Sequence, residues 1–268
     1  MTRWLLRVLF LIGMFLLLAP LGVVVANSFN ADPLLSGWGG FTTRWFREVL
    51  ADDSVRRAAL GSLNIALAVT AGSAVLGTLV VGFSSYAPRT LGRVTDVLTV
   101  TRIMMPEVVI ASGLIVFLPG LGFSFGTPTV IVGHIVWDAA FFISVAGARR
   151  AGFDRRLEDA ARDLGAAPSR VFRTITVPDL IPGLVAGALL AFTFSFDDVV
   201  TSVFLAGPDT STLPLEILSR IRHGINPSIN AIGVLVMAVT VLGLGAATAL
   251  AGVGAGQLPA RTQQEITK

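Results

Sequence analysis

Long stretches without a single charged residue constrain this chain more than any other feature. Val8 to Ala31, Ala58 to Pro88 and His223 to Ala260 contain no Asp, Glu, Lys or Arg. A helix needs about 20 mostly apolar residues to cross roughly 30 Å of hydrocarbon, so each run is long enough to span a membrane. Val108 to Trp137 is also free of charge, but Pro119, Gly120, Gly122, Gly126 and Pro128 break it into a turn between two helices. A fifth run, Leu180 to Phe196, ends on the acidic pair Asp197-Asp198. Six spans are predicted, near Leu5–Ala26, Ala59–Phe83, Val97–Leu118, Val130–Ala148, Pro182–Phe204 and Ala231–Val253. The expected fold class is all-α and integral to the membrane. With no internal repeat and no low-complexity linker, residues 1–268 read as one transmembrane domain.

Composition narrows the function. Hydrophobic residues make up 53% and charged residues 14% of the chain, against about 25% charged in ordinary soluble domains. No Cys is present, and His134 and His223 are the only histidines, so neither a thiol nucleophile nor a Cys- or multi-His-ligated metal is available. The single lysine, Lys268, ends the chain, which excludes the Gly-Lys-Ser/Thr phosphate loop of an ATPase. No cofactor is implied, and no nucleophile–base pair supports an enzyme. The net charge of +3 comes from Arg residues placed between apolar blocks; a nucleic-acid surface would gather them in one stripe.

Basic residues are retained on the cytoplasmic side of short loops. With the N-terminus inside, thirteen basic residues are cytoplasmic: Arg3, Arg7, Arg89, Arg93, Arg149, Arg150, Arg155, Arg156, Arg162, Arg170, Arg173, Arg261 and Lys268. Six are outside: Arg44, Arg47, Arg56, Arg57, Arg220 and Arg222. Both termini are therefore expected in the cytoplasm, with Arg102 in or near the third span. The apolar stretch Val8–Ala26 covers 19 residues, longer than the 7–15 or so of a signal-peptide core, so it reads as an uncleaved first span. Between Asn27 and Arg57, the aromatic residues Trp38, Phe41, Trp45 and Phe46 predict a short helix at the membrane interface.

Between spans four and five lies the one long polar segment, Arg149–Asp179. Leu157, Ala160, Ala161 and Leu164 recur at helical spacing and predict one apolar helix face, which Gly165 can end in the left-handed conformation. Pro168 suits the first turn of a second helix carrying Val171, Phe172 and Ile175, which Pro178 is expected to stop. On periodicity alone, this hairpin is either a solvated surface element or an apolar face that docks in a partner's groove.

The same segment resembles the EAA loop of ABC importer permeases, whose pattern is Glu-Ala-Ala, three residues, Gly, nine residues, then Ile-x-Leu-Pro. Asp159-Ala160-Ala161, Gly165 and Ile175-Thr176-Val177-Pro178 match at that spacing, with Asp159 for Glu and Val177 for Leu. Further motifs are similar to the spermidine/putrescine permeases of the PotC/PotI type. These are Asn27-Ser28-Phe29, Met105-Pro106-Glu107, Ser195-Phe196-Asp197-Asp198-Val199-Val200, Gly207-Pro208, Leu213-Pro214-Leu215 and Gly224-Ile225-Asn226-Pro227. The resemblance implies a polyamine importer subunit in a bacterial inner membrane. Its implied partners are a homologous second permease, a cytoplasmic ATPase dimer that receives the loop as a coupling helix, and an external solute-binding protein.

Ionisable groups in spanning segments cost about 2.5–3.5 kcal/mol each on insertion scales, so each is a functional candidate. Glu107, Asp138, Asp197 and Asp198 qualify, as counter-charges for a small cationic substrate. Trp137, Phe192 and Phe196 offer aromatic faces to the same cation. Structural roles compete with these. Glu107 can pair with Arg102, Asp197 or Asp198 can cap an outer helix or meet the partner permease, and His134 can be a satisfied interior histidine. Neighbouring helical residues diverge by about 100°, so Asp197 and Asp198 are not expected to face one lumen together. An ion-coupled secondary transporter is the alternative class, but it would bring inverted repeats and more spans.

Overall fold

The computed structural model describes residues 2–83 and 87–255. Arg261 and Lys268, on which part of the topology expectation rests, lie outside the described residues. The described chain is helical, and its only β pairing is an isolated Asn30–Phe41 bridge. It divides into two compact units, one formed by the residues up to Asp52 and from Arg220 on, the other by Asp53–Ser219.

In the first unit, α1 (Thr2–Ser28) packs on α12 (Pro227–Ala255), which also packs on α2 (Arg44–Ala51). From Val8 to Ala26, α1 is apolar all round and mostly exposed, as a lipid-facing helix is. The expected interfacial helix is confined to α2, which buries Trp45 and Val49. Trp38 and Phe41 stand exposed in the loop before it, with Phe41 stacked on Phe29. The loop is organised by two side chains. Asn30 Oδ1 accepts the Asp32 and Gly39 N–H groups, at 3.0 and 2.8 Å, and the Asp32 carboxylate accepts those of Leu34, Ser36 and Gly37. These bonds, the Ser36 hydroxyl foremost, hold the Asp32 carboxyl below its ordinary pKa.

The second unit is built on α3 (Asp53–Phe83), α6 (Thr127–Ala151) and α9 (Val177–Phe196), each packed on the other two. Along α3, Ala58, Ser62, Ile65, Ala66, Val69, Ser73, Gly77 and Val81 are buried at helical spacing, which gives the helix one small-residue packing face. Phe142 of α6 is fully buried between Gly77 and Gly187; a Cβ at Gly77 would collide with its ring, and one at Gly187 would press tightly on it. Gly183 and Gly187, a small-xxx-small pair, thus bring α9 close to α6.

The predicted third span is not continuous. α4 (Arg89–Met104) and α5 (Glu107–Gly120) are bent by 108° at Met105–Pro106. The Pro106 ring disfavours helix at the residue before it, and Met105 is accordingly extended, with φ −73° and ψ 134°. The predicted fifth span begins earlier than Pro182 and stops at Phe196, before α10 (Val200–Leu205). Among the described residues four helices are long and apolar enough to cross a membrane, or five spans if the bent pair is one. Within α12, Pro227–Val241 is apolar.

Candidate functional site

Two regions hold the residues singled out above. The first is the polar loop after α6. Here α7 (Arg156–Asp163) ends at Gly165, whose φ is +80°. Its N–H donates to the Arg162 carbonyl at 2.8 Å, and the Ala166 N–H to the Ala161 carbonyl at 3.0 Å, the paired bonds of a Schellman ending. Ala167 is extended, and Pro168 opens α8 (Pro168–Val171). Pro178 does not stop the helix as expected. A π-helical turn, Phe172–Thr176, carries the chain into α9 without a break, with the Val177 N–H bonded to the Phe172 carbonyl five residues back. The wider turn lets the helix accommodate a proline that has no N–H to give.

The expected apolar face of α7 points away from the rest of the unit: Leu157 is 55% and Leu164 89% exposed. Ala160 and the Asp159 carboxylate are exposed too, with Asp159 3.1 Å from Arg162, and Ile175 is half-buried. The buried member of α7 is Glu158, which the sequence reading passed over. Arg150 at the end of α6 donates to both its oxygens, at 2.9 and 3.0 Å, and the Thr176 hydroxyl donates to Oε1 at 2.5 Å. One carboxylate thus ties the end of α6, the loop helix and the start of α9 together. The available signal was a second acidic residue beside the motif position, about 100° round the helix from Leu157.

The second region lies where α5, α6, α9 and α10 meet. Glu107 opens α5 immediately after the bend and accepts a hydrogen bond from Thr201 at 3.0 Å. Asp198, between α9 and α10, is buried and accepts the Ser202 N–H at 3.2 Å, so it also steadies α10. His134 is buried between them, with Nδ1 2.8 Å from the Ser195 hydroxyl and Nε2 3.6 Å from Asp198. Asp138, one turn further along α6, is fully buried, and neither of its oxygens has a hydrogen-bond partner. Asp197 is exposed at the end of α9 and is not part of the group. Glu107 and Arg102 make no ion pair. Arg102 lies over Trp137 instead, 3.9 Å from the ring centroid, and donates through Nε to the Val136 carbonyl at 3.0 Å. Phe192 and Phe196 stack on each other at 5.8 Å.

A group of carboxylates among apolar helices and an outward-facing cytoplasmic-type hairpin suit a transport subunit, and comparison with known proteins agrees. Residues 73–252 match the family described as binding-protein-dependent transport system inner membrane component. The chain is 36% identical over 244 residues to the putrescine transport system permease protein PotI of Escherichia coli (strain K12), across 88% of this chain and 87% of that one. It is 34% identical over 224 residues to the spermidine/putrescine transport system permease protein PotC of the same strain, across 83% and 84%. Against PotC of Haemophilus influenzae it is 32% identical over 242 residues, across 90% and 94%. Among solved structures, a chain of a bacterial ABC transporter involved in import of the acidic polysaccharide alginate superposes with a TM-score of 0.73 at 16% identity, covering 93% and 95%. A chain of the inward-facing MetNI methionine ABC transporter gives 0.60 at 19%, covering 72% and 93%. These two likenesses establish the fold, and the sequence matches establish the kinship: this chain belongs to the family of binding-protein-dependent transport system inner membrane components.

Proposed function

We propose that this chain is a permease subunit of an ATP-driven importer of polyamines such as putrescine and spermidine, and that Glu107, Asp138 and Asp198 supply negative charge along the substrate's path. One observation carries the substrate class: the relatives 32–36% identical over most of the chain are putrescine and spermidine/putrescine permeases. The buried carboxylates support it, because a di- or polycation leaving water needs counter-charge within the apolar helices. Asp197, exposed at the end of α9 outside the buried group, is a fourth candidate for the same role.

In this reading the Arg149–Asp179 hairpin is cytoplasmic. Asp159, Ala160, Ala161, Gly165, Ile175 and Pro178 belong to its coupling loop, and exposed Leu157 and Leu164 enter the cleft of an ATPase subunit. A homologous second permease completes the pathway and an external solute-binding protein delivers the substrate. Both termini lie in the cytoplasm.

The test is uptake. The chain, co-expressed with its ATPase, second permease and binding-protein partners, should restore ATP-dependent accumulation of labelled putrescine or spermidine to cells lacking their own polyamine importers. Accumulation of neither would refute the substrate class.

A further inference from the structure

Arg102 is half-buried, yet the end of its guanidinium is closed off from solvent. It sits in the last turn of α4, just before the 108° bend, and reaches across to α6. Two contacts hold it: the Nε bond to Val136 and the face of Trp137. Its terminal nitrogens Nη1 and Nη2 are buried and meet no hydrogen-bond acceptor. Asp138, the residue after Trp137, is fully buried, and both its oxygens lack a donor. Elsewhere in this chain Arg150 places Nη2 against both oxygens of a neighbouring carboxylate, Glu158. Arg102 has left its two best donors unused beside a carboxylate that uses neither acceptor. Unpaired buried donors and acceptors are costly, and a site that keeps both is ready to exchange partners.

Trp offers the strongest cation–π face of any side chain, and it binds alkylammonium groups in the same way as guanidinium. We propose that Arg102 is a resident stand-in for the substrate's ammonium: its guanidinium occupies the Trp137 face between transport events, and an incoming alkylammonium displaces it and meets Asp138. The proposal rests on the polyamine reading above. A tethered cation in the site keeps the substrate from binding there too tightly to leave, because each ammonium must compete with a charge that the chain itself supplies. The flexible stem of Arg102, anchored next to the bend, lets it swing away and return.

The test uses the complete transporter complex, assembled without its binding protein so that retention of labelled putrescine reports the membrane site. Arg102→Gln keeps an N–H for the Val136 carbonyl and removes the charge. Retention should rise on the order of tenfold, the scale of a desolvated cation–π contact. Millimolar guanidinium chloride should then compete putrescine away from Arg102→Gln but not from wild type. In an Arg102→Gln/Trp137→Leu double variant the gain should vanish. Unchanged or weaker retention in an intact Arg102→Gln complex overturns the proposal, as does a gain that survives Trp137→Leu. If Arg102→Gln does not assemble, Arg102→Lys decides: it keeps the charge but gives up the planar ring contact, so a smaller gain is expected and none refutes the idea. Uptake by the wild-type transporter with its binding protein separates the two readings. No polyamine uptake sinks the substrate class and this proposal with it, whereas uptake with unchanged retention in Arg102→Gln sinks this proposal alone.

Discussion

Arg150 and Glu158, eight residues apart, form a buried ion pair that joins the end of α6 to the loop helix α7, with Arg150 Nη2 meeting both carboxylate oxygens. The Thr176 hydroxyl joins the same carboxylate from the start of α9. Removing one partner of such a pair strands the other charge and costs about 3–5 kcal/mol. Glu158→Ala should therefore loosen the hairpin from its two spans, with faster proteolysis between Arg149 and Asp179 and a loss of ATP-driven uptake. Replacing the pair together by Met at both positions restores packing without a stranded charge. It should recover the protease resistance that Glu158→Ala loses; equal sensitivity in the double variant would contradict the ion-pair account.

At Gly165 the backbone itself is the constraint. Its φ of +80° lies where a β-branched residue is a genuine outlier, and holding one there costs on the order of 1–3 kcal/mol. No atom lies within 4 Å of a Cβ built on Gly165, so the defect in Gly165→Val is purely conformational. Gly165→Asn, which tolerates the left-handed region, should retain more transport than Gly165→Val at equal membrane abundance. Full uptake by the Val variant would remove the turn from the coupling mechanism.

The parts of this structure that were legible in the sequence are those that local rules govern. Charge-free runs located α1, α3, α6, α9 and α12, because lipid leaves a spanning chain few alternatives to helix. Gly165 and Pro168 were readable because only one or two residue types satisfy a left-handed turn or a first helical position. Pro106 carried the signal for the bend in α4–α5, but a hydropathy window averages over it. Pro178 misled in the other direction: the π turn before it needs five residues to act together, and no single residue announces it. The role of Glu158 and the pairing of Arg102 with Trp137 were hidden for another reason. Both depend on contacts between α6 and elements 8 to 35 residues away in sequence, and periodicity does not say which buried face meets which.

Topology gives a direct check on the charge argument. A reporter active only in the cytoplasm should be active when fused at Arg155 and silent when fused at Asp209, because α9 and α10 lie between the two. Activity of both fusions would end the assignment of α9 as a span. The split of thirteen basic residues against six would then need another cause.

Asp32 predicts a pH effect confined to the loop before α2. Its carboxyl is held below the ordinary range by hydrogen bonds from Ser36, Leu34 and Gly37. A group whose folded pKa is depressed stabilises the fold above its unfolded pKa and loses that contribution as pH falls through the folded value. Hydrogen exchange at Ser36 and Gly37, corrected for intrinsic rates, should therefore be protected at neutral pH and lose protection in acid. Asp32→Ala should show the unprotected behaviour at every pH, and protection that persists in this variant would assign the loop's order to Asn30 alone.

The carboxylates differ in how they are held, and that difference separates their predicted roles. Asp198 accepts the Ser202 N–H and lies 3.6 Å from His134 Nε2, so part of its work is structural. Asp138 has no hydrogen-bond partner at either oxygen and contributes charge without holding any neighbour in place. Asn keeps size and hydrogen-bonding capacity while removing the charge. Asp138→Asn should leave assembly with the second permease and thermal stability intact, or even raise stability by relieving an unpaired buried charge, and should slow polyamine uptake. Asp198→Asn keeps the acceptor for Ser202, so it too should assemble, with a fall in uptake; Asp198→Ala, which loses the acceptor, should lose stability as well, by about 1–3 kcal/mol for the unsatisfied N–H. Asp197→Asn, at the exposed end of α9, should have the mildest effect of the three. Uptake and co-purification measured on the same preparations distinguish the outcomes. Normal transport in an Asp138→Asn/Asp198→Asn double variant would refute the pathway role, and loss of the complex in Asp138→Asn would return that residue to structure.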